Sequence, residues 1–299
     1  MISNHLLSWN VRGLNSRAHR NAVRNVVFEQ QASIICLQET KVDVILDSLI
    51  SDMMGSDYDY LFLPASCASG GVVSCWRRDL WSGATHSIRS FSVTVSLSPP
   101  GGAGEQWWLT NVYGPPSKDE RPAFLQELRD IRLACPGSWL VCGDFNMILN
   151  AADKNNGRLD HAQMRRFRQT INDLLLDELF LHGRLFTWSN RRGEPTLERL
   201  DRAFGSTEWT QRFPAHHLCC LSSDHSDHAP LLLILSTNPW PPPRFSFEAI
   251  WTKFPGYTKV VAPGWGTSEH ASACRALDQK LRNLAMALKS WPASAIGDV

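Results

Sequence analysis

"HLLSWNVRGLNSRAHRNAVRNVVFEQQASIICLQET", residues 5–40, decides the fold class. It opens on a short apolar strand that ends in a Gly turn. Val23, Val26, Val27 and Gln30 then recur at helical spacing, and "ASIICLQET" reads as a buried strand ending in polar residues. A strand, a helix and a second strand in succession indicate an α/β layout. Further strands are expected at "YDYLFLP", "GGVVSCW", "FSVTVSLS" and "EQWWLTNVYGPP". They lie close together with Gly or Pro between them, which favours meander pairing over helical crossovers. Helices are expected over 118–133 and 160–176, the second with Met164, Phe167, Ile171, Leu174 and Leu175 on one side. "SWLVCGDFN", "RLFTWSN", "LERLDRAF" and "SDHAPLLLIL" complete a unit spanning 1–237. "NPWPPP" at 238–243 breaks the pattern, so 238–299 is expected to be a Pro-rich linker and a partly helical tail, with a helix near 269–290.

Composition narrows the function classes without choosing one. With 43% hydrophobic and 20% charged residues, the chain has ample apolar surface for a core. Its twelve tryptophans include Trp107, Trp108, Trp139 and Trp188 in candidate strands, where packing is the simpler account. A net charge of +1 carries no overall basic footprint, so nucleic acid is permitted and not demanded. Arg165, Arg166 and Arg168, and the pair Arg191–Arg192, form local basic clusters that suit a solvated face. The eight cysteines show no CxxC pair and suit reduced, buried thiols. No secretory leader is apparent and no apolar run reaches membrane-spanning length, so an intracellular location, nuclear or cytoplasmic and off the membrane, is expected.

One arrangement recurs five times: an apolar strand bounded by carboxylate, amide or imidazole groups. The instances are Asn10 after "LLSW", Glu39 after "IICLQ", Asp144 and Asn146 after "WLVCG", Asp201 in "ERLDR", and Asp227–His228 before "APLLLIL". Each alone could be a turn residue. Together they predict convergence on one cleft, because strand ends join a rigid scaffold to solvent. Oxygen donors without clustered cysteines suit Mg²⁺ rather than Zn²⁺, and an Asp-paired His can act as acid, base or clamp. These are parts for metal-assisted hydrolysis of a phosphate ester.

The ordered set "WNVRGLN", "LQETK", "NVYGPP", "CGDFN", "FTWSN", "RLDR" and "SDHAPLLL" resembles the endonuclease/exonuclease/phosphatase superfamily over roughly residues 4–236. More narrowly it is similar to the apurinic-type endonuclease domain of plant LINE-type retrotransposons, and "PPRFSFEAIWTKFPGY" is similar to the connector that follows it, which implies a truncated copy. The resemblance implies a four-layer α/β/β/α sandwich of two mainly antiparallel or mixed sheets, DNase I-like, with the site at one end. It implies a monomeric endonuclease with Mg²⁺ or Mn²⁺ as cofactor and DNA as partner, nicking to leave a 3′-hydroxyl.

Carried across residue by residue, Glu39 becomes the main metal ligand, supported by Asn10, with Asp227 beside the metal. Tyr113 contacts the scissile phosphate, Asp144 orients or deprotonates the attacking water, and Asn146 donates to a phosphoryl oxygen. His228 contacts the same phosphate and is oriented by Asp201. The tripeptide Ser-Asp-His occurs twice, at 223–225 and 226–228. The motif requires a small residue and proline next, so Asp227–His228 is the functional copy and Asp224–His225 is loop. His216–His217 and Cys219–Cys220 are read as loop and core.

Two positions depart from the pattern. Arg12 stands where many members carry a carboxylate, and Pro116 where some repair enzymes carry an amide. These departures argue against strict abasic-site specificity and for weaker metal affinity. Two other readings stay open: a phosphatase acting on a small phosphate ester, and a catalytically weak relic that folds or binds nucleic acid.

Overall fold

The computed structural model describes residues 4–66, 69–102, 104–223, 225–237, 256–265 and 273–290. Contacts divide the chain into two compact units, Met1–Pro239 and Trp240–Val299. In the second unit the helices Tyr257–Gly264 and Ala273–Ser290 are described; the stretch "RFSFEAIW" and the 238–243 break lie outside the described residues.

The first unit carries fifteen strands among its described residues. In chain order they are β1 (His5–Asn10), β2 (Ala32–Gln38), β3 (Tyr58–Ser66), β4 (Ser69–Arg77), β5 (Ser82–Ile88), β6 (Ser92–Ser98), β7 (Trp107–Tyr113) and β8 (Trp139–Asp144). Then follow β9 (Leu176–Glu178), β10 (Leu181–His182), β11 (Trp188–Ser189), β12 (Leu197–Glu198), β13 (Asp201–Ser206), β14 (His217–Cys220) and β15 (Leu231–Ile234). One sheet runs β10-β14-β15-β1-β2-β4-β3 and the other β5-β6-β7-β8-β13-β9, with β11 and β12 as a small hairpin. Both large sheets are mixed: β1 and β2 are parallel, as are β7 and β8, and most other neighbours are antiparallel.

Side chains alternate along each strand and so divide each sheet between two cores. Leu6, Ile34 and Cys36 of the first sheet meet Val93, Val95, Trp107 and Leu109 of the second between the sheets. Their neighbours Leu7, Ile35 and Leu37 face the other way, onto helices α1 (Arg17–Gln30) and α2 (Asp47–Met54) through Val23, Val27, Ile50 and Met53. Val112, Trp139, Val141 and Phe204 likewise cover α3 (Arg121–Ala134) and α4 (His161–Asp173) through Phe124, Leu128, Phe167 and Ile171. The result is helix, sheet, sheet, helix.

Three local expectations change. The chain leaves the first sheet after β4 and enters the second at β5, so the strands of 58–98 form two hairpin pairs on different sheets. Leu175 is 71% exposed and left-handed (φ 53°), because α4 ends at Asp173 and the chain turns there toward β9. His217, Cys219 and Cys220 belong to β14, so they are strand residues rather than loop. Cys36, Cys75, Cys135, Cys142, Cys219 and Cys220 are unpaired thiols, and the first four are buried.

Gly143 shows why the β8 motif needs glycine. Its φ is +138°, and a Cβ built there would lie 2.1 Å from the Val112 carbonyl oxygen on β7. Replacing it must pry apart the strands that carry Tyr113 and Asp144. Gly143→Ala is expected to cost about 2–4 kcal/mol, combining backbone strain with overpacking. Urea denaturation checks this; a loss under about 1 kcal/mol would contradict the close approach.

Candidate active site

The topology collects polar residues at one end of the sandwich. Parallel β1 and β2 finish side by side, with Asn10 opposite Gln38 and Glu39 next in chain. Parallel β7 and β8 finish with Tyr113 opposite Asp144. Antiparallel β13 begins at this same end, with Asp201 opposite Asp144. Antiparallel β15 also begins there, just after Asp227–His228. Arg12 (φ 51°), Glu39 (52°), Lys41 (55°) and Asn146 (50°) all adopt the left-handed region here. Such strain in non-glycine residues collects where a scaffold fixes functional groups.

Asn10, wholly buried, links the two sheets. Its Nδ2 donates to Asp144 Oδ2 at 2.9 Å and to Glu39 Oε2 at 3.1 Å, while its Oδ1 accepts the Arg12 N–H at 3.1 Å. Glu39 also pairs with Lys41 Nζ at 3.0 Å. Asp144 Oδ1 accepts the Asn146 N–H at 2.9 Å. The Asn146 amide donates to Gly114 O at 2.8 Å and to Asp144 Oδ2 at 3.2 Å. Both amide hydrogens are thereby engaged in the ligand-free site, which holds Asn146 against Asp144. Tyr113 is half-buried beside Glu39. Burial first, then the Glu39 and Asp144 charges and a hydrogen bond to Glu39, hold its phenol above the usual range, so it stays a proton donor.

On the other side His228 is buried between two carboxylates. Its Nδ1 lies 2.9 Å from Asp201 Oδ2, and its Nε2 lies 3.8 Å from Asp144 Oδ2. Burial alone would lower its pKa, but Asp201 and Asp144 outweigh that and raise it to about 9. Asp144 is pushed up to about 6, chiefly by burial, with Asp201 raising it and His228 opposing. Asp144, Asp201 and His228 each offer an atom within 4.8 Å of the others and could form a metal-binding group. Without a cation the raised pKa makes the trio an acid–imidazolium–acid chain, and a cation bound there would have to displace the imidazole proton.

Asp227 Oδ2 accepts Trp188 Nε1 at 2.9 Å and Arg12 Nη1 at 2.7 Å, whereas its buried Oδ1 has no partner among the described residues. Together with Glu39 and Asp144 it supplies hard oxygen donors. An unpartnered buried carboxylate oxygen is one that a divalent cation could satisfy.

The two Ser-Asp-His copies part company at their serines. Ser226 is buried; its Oγ donates to the Asn10 carbonyl at 2.7 Å and accepts the His228 N–H at 3.1 Å. Trp9 Nε1 donates to the His228 carbonyl at 3.1 Å. His225 is exposed, its ring 6.5 Å from that of His19, and Asp224 lies outside the described residues. Ser226 and Thr187, which accepts the Asp201 N–H at 3.0 Å, were not expected from the sequence. The only sequence clue was their place inside "SDHAP" and "FTWSN". Beside His228, a cavity of about 550 Å³ is lined by Arg184, Phe186, Trp188, Arg191 and Asp227. A second of about 470 Å³ adjoins Tyr113, Phe91, Pro115 and Pro116.

A family model described as "Endonuclease/Exonuclease/phosphatase family" matches residues 7–225. No curated protein matches the chain in sequence. Among solved structures, the endonuclease domain of TRAS1, a telomere-specific non-LTR retrotransposon, is 16% identical with a TM-score of 0.61, covering 78% of this chain and 98% of that one. The AP endonuclease LMAP from Leishmania major is 16% identical (TM-score 0.64; 78% and 87% covered). The 3′ phosphatase NExo from Neisseria, bound to a product DNA hairpin, is 19% identical (TM-score 0.62; 78% and 100% covered). These likenesses establish the DNase I-like fold.

A histidine with a raised folded pKa stabilises below its unfolded value near 6.5, and that contribution is lost as pH rises through about 9. Imidazole NMR without divalent cations is expected to place the His228 midpoint well above 6.5. Stability in urea should fall across the same alkaline window. A His228 midpoint near 6.5 would refute the paired-imidazolium reading.

Proposed function

The chain belongs to the endonuclease/exonuclease/phosphatase family, and from that premise we propose that its 1–237 unit is a Mg²⁺-dependent phosphodiesterase that nicks DNA and leaves a 3′-hydroxyl. Mn²⁺ is the other cation such a donor set accepts. The substrate would be the DNA target of a LINE-type element, acted on by a monomer in the nucleus or cytoplasm. No described helix is long and apolar enough to cross a membrane. The observation that carries this reading is the cluster in which Asn10 hydrogen-bonds both Glu39 and Asp144, and His228 hydrogen-bonds Asp201 while facing Asp144 at 3.8 Å.

The residues divide the work by charge and proton state. Asp144, poised near neutral pH and fixed by Asn10 and Asn146, takes a proton from the attacking water. His228, turned by Asp201, presents a charged N–H to the scissile phosphate. Tyr113 remains protonated and donates to the same phosphate or the leaving oxygen. Glu39, Asn10 and Asp227 would hold the cation. When bound, it would neutralise phosphate charge and ease formation of the leaving oxyanion.

Supercoiled-plasmid nicking with Mg²⁺ tests the whole assignment. Wild type should nick and EDTA should stop it. His228→Ala and Asp144→Asn should each fall at least about 100-fold, while His225→Ala stays close to wild type. A folded wild type inert on DNA would favour the relic reading. Release of inorganic phosphate from soluble inositol phosphates, in place of nicking, would favour the small-ester phosphatase.

A further inference from the structure

Arg12 is a cleft residue that the roles above leave without a task, and it stands where the family resemblance leads one to expect an acid. Its loop is tied down from both sides. The Val11 N–H donates to Gln38 O at 3.1 Å, the Arg12 N–H to Asn10 Oδ1 at 3.1 Å, and the Leu14 N–H to Thr40 O at 2.8 Å. The left-handed backbone (φ 51°) is held by these bonds to the same strand ends that carry Asn10 and Glu39.

The side chain is placed as deliberately as the backbone. Arg12 Nη1 meets Asp227 Oδ2 at 2.7 Å, yet the Arg12 side chain is 52% exposed against 9% for its partner. Among the described residues that carboxylate is the hydrogen-bond partner of the half-exposed guanidinium. The same Asp227 oxygen accepts Trp188 Nε1 at 2.9 Å, and Trp188 lines the cavity beside His228. The charge of Arg12 also acts on the Tyr113 phenol. The guanidinium is therefore fixed at the carboxylate that also holds Trp188 of the cavity beside His228.

A bare counter-charge for Asp227 would need only one donor, and a half-exposed ion pair contributes little to stability. A planar fork with one arm anchored on a half-exposed side chain is instead suited to a phosphate oxygen. We propose that Arg12 is a phosphate-binding residue: hinged on Asp227, its guanidinium grips a non-bridging oxygen of the DNA backbone at or next to the scissile bond. This rests on the reading of the site as a DNA nickase. It also gives a chain of near-zero net charge a cation placed at the point of chemistry.

Binding of a labelled DNA duplex, followed by fluorescence anisotropy in EDTA over a range of salt concentrations, tests this without relying on turnover. Arg12→Gln should bind about tenfold more weakly at low salt, and its slope of log affinity against log salt should fall by about 0.9, one phosphate contact. Arg12→Lys should keep the slope with weaker binding, since it keeps the charge and loses the fork. Melting temperatures of both variants should match wild type. If wild type binds and nicks while Arg12→Gln shows unchanged affinity and slope, Arg12 is only a counter-charge and the proposal fails. If wild type neither binds nor nicks DNA, the nickase reading fails and the proposal falls with it.

Discussion

Asp144 and Asp201 are register partners on adjacent strands, and both are buried. Two ionised carboxylates in that position repel each other, and each loses its hydration. The arrangement holds because a third strand, in the other sheet, delivers an imidazolium between them. The edges of the two sheets are thus fixed at the cleft by charge as well as by the apolar core behind. The same fact ties the site to the fold: a sandwich that slid by one residue would separate His228 from its acids.

Deeper between the sheets, a neutral polar bridge fixes the register. Gln38 Nε2 donates to Asn111 Oδ1 at 2.7 Å, and Asn111 Nδ2 donates to the Val73 carbonyl at 3.0 Å and to Ser74 Oγ at 3.2 Å. Gln38 lies on β2 and Asn111 on β7, so the bridge crosses the apolar layer directly under Glu39 and Tyr113. An apolar interface alone would tolerate small slides between the sheets; buried amides that must find partners do not. Another buried set serves the motif loops. Arg202, fully buried, pairs with both Asp153 and Glu178, and Asp153 Oδ2 accepts the Leu149 N–H at 2.8 Å. The loop that follows Asn146 is thereby fastened to the strand that begins with Asp201.

Much of this could be read from residues in order. Short continuous apolar runs in "HLLSW" and "IICLQ" mark strands covered on both faces, and polar residues at their ends mark the cleft. What could not be read was the partner of each polar atom. Asn146 falls in a motif, but its ligand-free partners, Gly114 and Asp144, are not written in the sequence. Leu175 continued a helical stripe because hydrophobic spacing carries no information about the turn that ends it. The change of sheet after β4 lay hidden for a similar reason: a short connection looks the same whether the next strand pairs or crosses over. Arg202 showed only as a charge in "RLDR", and nothing local distinguishes a buried arginine from a solvated one until Asp153 and Glu178 are placed around it.

The duplicated tripeptide isolates what a motif contains beyond its chemical groups. His225 and His228 have identical preceding residues, and both could ionise. What separates them is the next step of chain: Ala229 and Pro230 lead at once into β15, whose register with β1 is fixed from Ser8 to His5. That strand holds Ser226 against the carbonyl of Asn10 and Trp9 against the carbonyl of His228. Three residues earlier the same sequence has no strand to anchor it, and His225 is left exposed beside His19. Placement of the imidazole between the acids is therefore a property of the β1–β15 pairing. What places the motif's groups lies as much in the apolar "LLLI" that follows as in the Asp-His that attracts the eye.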